Sequence, residues 1–191
     1  MTWIIGIDPG TAGAIAVLDL DGRRLWLHDI PFHDVRRGRA KSVTELAEAE
    51  VRALFVDVLA QSQGDVAAAI ELQSPRPFIA GQDGMHGNVT SIAKQVGTYA
   101  CLRGLLTGVG IVYDVVPPSV WKKAFKLSQE KDDSRHEAGR IFPLCGGRFA
   151  KGRGRPDLAE AALIAAWSCK LRSLTIPSNI ELVSTKTKKA A

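Results

Sequence analysis

Four carboxylates stand at positions where they could share a metal ion. Asp8 and Glu71 each end a short apolar run, and Asp157 and Glu160 are three residues apart. Carboxylates without histidine or cysteine partners form the hard oxygen-ligand set that suits Mg²⁺ or Mn²⁺ rather than Zn²⁺. Two such ions about 4 Å apart can activate water and stabilise the leaving oxygen of an in-line displacement at phosphorus. These acids therefore predict metal-dependent phosphodiester hydrolysis.

Each acid also has an ordinary structural explanation. Asp8 precedes Pro9 and could belong to a turn, while Asp157 and Glu160 could favour the dipole at the start of a helix. Glu71 is harder to explain in this way, because a carboxylate near the end of a buried strand is costly unless it is paired or bound to a metal. The four acids indicate a metal site only if the fold brings their side chains close together.

Positive charge is concentrated in one part of the chain. The whole sequence carries a formal charge of +5, whereas residues 117–155 hold ten Lys and Arg against four Asp and Glu, a local charge of +6. Such a segment fits a polyanion, because Lys and Arg neutralise phosphates and release counterions. A solvated basic face is the alternative.

Composition excludes several classes of protein. The longest uninterrupted apolar run, at 161–167, is seven residues. A membrane span needs about 18, so we expect no membrane partner. The three scattered cysteines form neither a disulfide framework nor a zinc-binding spacing, which fits a reducing cytoplasm.

Hydrophobic patterning predicts the elements that position the acids. Three antiparallel strands open the chain, at 2–8, 13–18 and 23–30. Asp21-Gly22 is typical of a hairpin turn, and the capping box Ser42-x-x-Glu45 begins a helix that runs to about residue 63. A buried strand at 66–72 follows this helix, which favours parallel pairing with the first strand.

The second half of the chain alternates helices and strands. We expect a helix at 88–107, a strand at 111–116, a short basic helix at 119–125, a Gly- and Arg-rich mobile segment at 145–156 and a last helix at 157–171. The order predicts an α/β fold with a five-stranded mixed sheet, three antiparallel strands followed by parallel β-α-β units, flanked by helices. We expect one domain at 1–175 and a basic, flexible tail at 176–191.

This topology predicts that the acids meet. Right-handed crossovers place the fourth strand beside the first, so that Asp8 and Glu71 leave the sheet at the same edge, about 5 Å apart. Asp157 and Glu160 share one helix face at a spacing of about 5–6 Å.

The motifs around these acids resemble those of the RuvC-type Holliday junction resolvases of the RNase H-like superfamily. The resemblance covers residues 3–170 and rests on Ile5-Gly-Ile-Asp-Pro-Gly10 with Thr11 and Gly13, Ala69-Ile-Glu71 with Gln73, and Asp157-Leu-Ala-Glu160-Ala-Ala. The position of this glutamate on the fourth strand, rather than on the first helix, is similar to that in the resolvases and unlike that in RNase H proper. The loop after Glu71 departs from the family, as in a divergent phage member.

The resemblance implies an RNase H-like fold and a Mg²⁺-dependent endonuclease that resolves Holliday junctions or other branched DNA by paired symmetric nicks. It implies two Mg²⁺ per active site, replaceable by Mn²⁺, with Asp8, Glu71, Asp157 and Glu160 as ligands. Glu160 is the least typical of these, because the family usually has Asp there. A C2 homodimer would cut the two equivalent strands of a four-way junction, in the cytoplasm of a bacterial or phage-infected cell.

The resemblance also implies catalytic lysines and DNA contacts. Val120-Trp-Lys-Lys123 and Lys131 are similar to the family's basic segment, in which a lysine binds the scissile phosphate or offsets transition-state charge. Lys122 and Lys131 are the candidates, with Lys123 as the competitor. Phe78 could wedge between bases or could anchor its loop. The candidate DNA contacts are Lys94, Lys122, Lys123, Lys131, Arg135, Arg153, Arg155 and Phe78.

Two other functions are consistent with parts of the sequence. Asp8-Pro-Gly-Thr11 also resembles the start of actin-like nucleotide-binding phosphotransferases, although these enclose a nucleotide between two such domains. A catalytically silent nucleic-acid-binding module of the same fold would not need all four acids. Nucleotide titration tests the first alternative, and metal-dependent cleavage that is lost in Asp8→Asn tests the second.

Overall fold

A computed structural model of the chain describes residues 2–10, 12–36, 43–74, 89–128, 130–150 and 156–184. Its strands are β1 (Trp3–Asp8), β2 (Ala14–Asp19), β3 (Arg24–Asp29), β4 (Phe32–Val35), β5 (Val43–Leu46), β6 (Val66–Glu71), β7 (Val112–Val116) and β8 (Glu181–Leu182). Its helices are α1 (Glu48–Gln61), α2 (Val89–Val109), α3 (Pro118–Ala124), α4 (Lys131–Ile141), α5 (Gly146–Phe149) and α6 (Pro156–Leu171). The fold is α/β, as the sequence predicts.

The main sheet is mixed and has the strand order β7-β6-β1-β2-β3-β8. β1 pairs antiparallel with β2 and parallel with β6, so the predicted neighbours of the first strand are confirmed. The sheet has six strands, and the prediction of five is wrong. The sixth, β8, pairs parallel with β3 over only two residues, Glu181 and Leu182, which is too short for a periodic pattern to reveal.

Two apolar cores lie on opposite faces of this sheet. Ile4 of β1 packs in the core that contains α6, whereas Ile5 and Ile7 pack in the core that contains α1 and α2. β1, β2 and β6 are therefore buried on both faces, which explains their continuous apolar runs. α6 is buried along most of its length and has almost no solvent face.

A close contact between α6 and β1 depends on a glycine. A Cβ at Gly6 would overlap the backbones of Ala161 and Ala165 in α6. Because the side chain is absent, the helix lies directly on the strand, with its first turns over the C-terminal end of β1. This contact is what brings the acids of α6 toward the sheet.

The helix predicted to begin at Ser42 begins instead at Glu48, so the capping-box prediction is wrong. Glu45 lies in β5, which pairs antiparallel with β4 to form a separate two-stranded sheet. In this hairpin Leu46 is buried opposite Phe32. The burial of Leu46 outweighs the local helix signal, and Ser42 itself lies outside the described residues.

The sequence also fails to predict α4. Its residues are mainly charged, and only a few small side chains form its buried face, among them Ser134 and Ala138. A hydrophobic period is therefore not visible, although the helix packs against α6. The segment expected to be mobile at 145–156 contains α5, and its residues 151–155 lie outside the described part.

The predicted division into 1–175 and 176–191 stays a prediction. Within the second range, Ile180 is buried and Glu181–Leu182 forms β8. Residues 185–191 lie outside the described part of the chain. Among the helices that the structure describes, none combines the length and the apolar character that crossing a membrane requires.

Candidate metal centre

Asp8 and Glu71 lie at the same edge of the sheet. They are the last residues of the parallel neighbours β1 and β6, whose register pairs Ile7 with Ile70 immediately before them. Side chains alternate along a strand, so Asp8 shares the face of Gly6, which is the face that α6 covers. The parallel register places Glu71 on that face as well.

The first turns of α6 supply two more acids at this edge. Pro156 begins the helix with the fixed backbone angle that suits its first turn, and Asp157 follows it. Glu160 lies one turn further and is buried. One carboxylate oxygen each from Asp8, Asp157 and Glu160 lie within 4.8 Å of one another, and we call these three residues the acid cluster.

The acid cluster concentrates negative charge in a desolvated place. Burial raises the pKa of Asp8 well above its ordinary value, and the nearby carboxylates of Glu71, Glu160 and Asp157 raise it further. The Gly10 amide, which donates a 3.2 Å hydrogen bond to Asp8 Oδ1, lowers the pKa only in part. A cation would relieve this repulsion.

Glu71 stands beside the acid cluster and has donors for both of its oxygens. Trp121 Nε1 donates to Oε2 at 2.7 Å, and Gln73 Nε2 donates to Oε1 at 3.1 Å. Burial raises the pKa of Glu71, whereas the hydrogen bond from Trp121 and the charge of Lys122 lower it. Glu71 is not one of the three residues whose oxygens lie within 4.8 Å of one another.

Glu160 receives contacts from two elements that lie between β7 and α6 in the sequence. Lys122 of α3 places its Nζ 3.2 Å from Glu160 Oε1, with the two side chains only 15% and 11% exposed. The fully buried Ser134 of α4 donates a 3.3 Å hydrogen bond to the same oxygen. α3 and α4 therefore complete the wall of the site.

The donor set fits a hard divalent cation. Three carboxylate oxygens are close enough to converge on one ion, and in the described residues neither histidine nor cysteine joins the acid cluster. Asp8, Asp157 and Glu160 are the residues that could hold it, and Glu71 is placed to contribute from the neighbouring strand.

The sequence did not indicate Trp121 or Ser134 as parts of this site. Trp121 lies in a run whose lysines indicate phosphate binding, and Ser134 belongs to a helix that the pattern does not reveal. One signal was available for Trp121, because a buried indole N–H needs an acceptor.

The structure describes the side chains of three of the remaining candidate residues. Lys123 is exposed on α3. Lys94 of α2 lies 4.7 Å from the centre of the Phe32 ring, and Arg135 forms a 2.7 Å ion pair with Asp132. Lys131 begins α4, but its side chain is outside the described part, as are the residues Thr11, Phe78, Arg153 and Arg155.

In sequence, the chain matches no family model and no curated protein. In structure, it is similar to Thermus thermophilus RuvC in complex with a Holliday junction substrate, with a TM-score of 0.50 and 18% identity over 90% of this chain and 96% of that one. A second Thermus thermophilus RuvC structure has a TM-score of 0.47 and 16% identity over 89% and 96% of the two chains. At 18% identity the first likeness shows the fold alone: this chain has the α/β fold of RuvC, and a buried acid cluster lies at the end of its central strand.

Proposed function

We propose that the protein is a metal-dependent endonuclease that cuts four-way junctions or other branched DNA. The acid cluster carries this proposal, because three carboxylates from β1 and α6 converge within 4.8 Å, and those of Asp8 and Glu160 are buried. Such an arrangement is costly without a cation. The similar RuvC fold, solved with a Holliday junction substrate, supports DNA as the partner.

Each side chain of the site has a role in the proposed reaction. Asp8, Asp157 and Glu160 bind the metal, with Glu71 as the fourth ligand. Bound Mg²⁺ supplies the activation of water and the stabilisation of the leaving oxygen, and Mn²⁺, which accepts the same oxygen ligands, substitutes for it. Lys122 offsets the charge that develops on the scissile phosphate, since its ammonium lies at the rim of the acid cluster.

Paired symmetric nicks require two sites related by symmetry. We propose a C2 homodimer, in which one site faces each of the two equivalent strands of the junction. The basic side chains at Lys94, Lys122, Lys123, Lys131, Arg135, Arg153 and Arg155 are the proposed phosphate contacts, and Phe78 is the proposed wedge or anchor.

Cleavage of a synthetic four-way junction tests the proposal. Wild-type protein is expected to nick two opposed strands only when Mg²⁺ or Mn²⁺ is present. Asp8→Asn is expected to abolish nicking while the junction is still bound, since Asn keeps the shape and removes the charge. Asp57→Asn on the exposed face of α1 is the matched control and should cut normally.

The outcomes separate the proposed nuclease from its alternatives. Metal-dependent nicking at the wild-type rate in Asp8→Asn would show that the acid cluster is not the active site. Junction binding without any cleavage by the wild-type protein would indicate a silent binding module. Sedimentation analysis of the protein with and without junction tests the homodimer independently.

A further inference from the structure

A buried tryptophan contacts one of the proposed metal ligands. Trp121 has no exposed surface, and its Nε1–H donates a 2.7 Å hydrogen bond to Glu71 Oε2. Phenylalanine or leucine would also fill apolar space here, but neither brings a hydrogen-bond donor. A buried indole N–H needs an acceptor, and the acceptor at this site is a carboxylate at the edge of the acid cluster.

The other oxygen of Glu71 accepts a hydrogen bond from a second side chain. Gln73 Nε2 donates to Glu71 Oε1 at 3.1 Å, and Gln73 Oε1 in turn accepts a hydrogen bond from Gln95 of α2. Uncharged groups thus donate hydrogen bonds to both oxygens of Glu71, and they do not neutralise the negative charge of the carboxylate. Since each carboxylate oxygen has two lone pairs, the two hydrogen bonds leave capacity on both oxygens for a cation.

α3 connects Glu71 with the acid cluster. Its consecutive residues Trp121 and Lys122 contact Glu71 and Glu160, which belong to two different elements. The extended Pro117 and the first helical residue Pro118 fix the start of this short helix, and Trp121 is packed in the core beneath it. The indole is therefore a rigid support, whereas the glutamate side chain it contacts has three rotatable bonds.

We infer that Trp121 is a positioning residue that fixes the carboxylate of Glu71 in the orientation needed to bind the divalent cation. The inference rests on the proposed function and assigns a task to a residue outside the ligand set. Partners that orient a metal ligand typically change metal affinity or activity by about 10- to 100-fold when they are removed. We expect a loss of this size in Trp121→Phe, which keeps an aromatic ring and removes the N–H.

Titration calorimetry with Mn²⁺ in the absence of DNA is the direct test. Trp121→Phe should bind Mn²⁺ at least about 10-fold more weakly than the wild type. In the Glu71→Gln background the same substitution should cause no further loss, because the two residues act as a unit. Trp26→Phe, which trims a tryptophan stacked on Trp3 in the other core, is the matched control and should bind normally.

The double-mutant cycle separates positioning from general support of the fold. Equal losses from Trp121→Phe in the wild-type and Glu71→Gln backgrounds would mean that the ring only stabilises the structure, and would overturn the inference. Wild-type Mn²⁺ affinity in Trp121→Phe would overturn it too. If Asp8→Asn nevertheless abolished Mn²⁺ binding, the proposed metal site would still be supported. Unchanged Mn²⁺ binding in Asp8→Asn would contradict the proposed metal site.

A spectroscopic measurement keeps the test independent of whether Trp121→Phe folds. The chain has four tryptophans, so ¹⁵N-labelled protein should give four indole N–H resonances. One of them is expected to shift in Glu71→Gln and to move on addition of Mg²⁺ to the wild type. If no indole resonance responds to Glu71→Gln, the contact does not exist in solution and the inference fails.

Discussion

Asp8 carries a charge that the fold disfavours while no cation is bound. Burial and three neighbouring carboxylates raise the pKa of Asp8 in the folded protein. In the unfolded chain these causes are absent, and Asp8 has its ordinary pKa. Between these two values the folded state holds more protons than the unfolded state. The free energy of unfolding therefore falls as pH rises from the ordinary pKa of an aspartate, about 4, through the raised one.

From this sign we expect Asp8→Asn to stabilise the metal-free protein. In EDTA at pH 7 the variant should unfold at a higher temperature than the wild type, and the difference should shrink toward pH 4. Mg²⁺ should raise the unfolding temperature of the wild type more than that of the variant, because only the native site binds the ion well. A variant less stable than the wild type in EDTA at pH 7 would contradict this account of the charge.

Lys122 and Lys123 provide a matched pair for testing the proposed catalytic role of Lys122. Lys122 is largely buried against Glu160, whereas Lys123 is exposed. Under single-turnover conditions with saturating junction, Lys122→Met should slow cleavage on the order of 10²-fold, the usual effect of losing one group that stabilises transition-state charge. Lys123→Met should change the rate little. A rate in Lys122→Met as high as that in Lys123→Met would contradict the proposed role of Lys122 in the reaction.

At the scale of elements, the position of the site depends on how closely α6 lies on β1. Gly6→Ala should destabilise the protein by about 1–3 kcal/mol, because its Cβ would meet the backbone of α6 and force the helix away. Gly104→Ala in α2 is the control, since nothing lies within 4 Å of its new Cβ. That substitution should stabilise the helix by about 0.5–1 kcal/mol. Urea unfolding measures both, and similar effects of the two would rule out tight packing at Gly6.

Sequence patterns predict the elements that have an unbroken period. The strands at 2–8, 66–72 and 111–116 are found within one residue of their predicted ends, because buried strands are continuous apolar runs bounded by turns. The β4–β5 hairpin, α4 and β8 are not predicted. Each depends on tertiary contacts: Leu46 opposite Phe32, Ser134 against Glu160, and Glu181–Leu182 beside β3. Trp121 and Ser134 were not predicted as site residues because the role of each depends on a tertiary contact, with Glu71 and with Glu160 respectively.

For the molecule as a whole, the excess of positive charge predicts how salt will affect the proposed binding of DNA. The net charge is +5, and residues 117–155 alone contribute +6. We expect junction affinity to fall roughly a thousandfold between about 50 and 200 mM salt, as for about six phosphate contacts. Fluorescence anisotropy with a labelled junction measures the slope. A junction affinity independent of salt would exclude residues 117–155 as the phosphate-binding surface.

α6 contributes both to the candidate site and to the core. Its first turns carry Asp157 and Glu160, and the rest of the helix is buried in the core. Because α6 is buried along most of its length, displacing it would disrupt the core, so within the described residues Asp157 and Glu160 cannot move independently of the core. On heating, the proposed cleavage activity should therefore be lost at the same temperature at which the protein unfolds. No folded but inactive state is expected at lower temperatures. A substitution that changes the packing of α6 is therefore expected to change the spacing of the acids and the stability of the protein together.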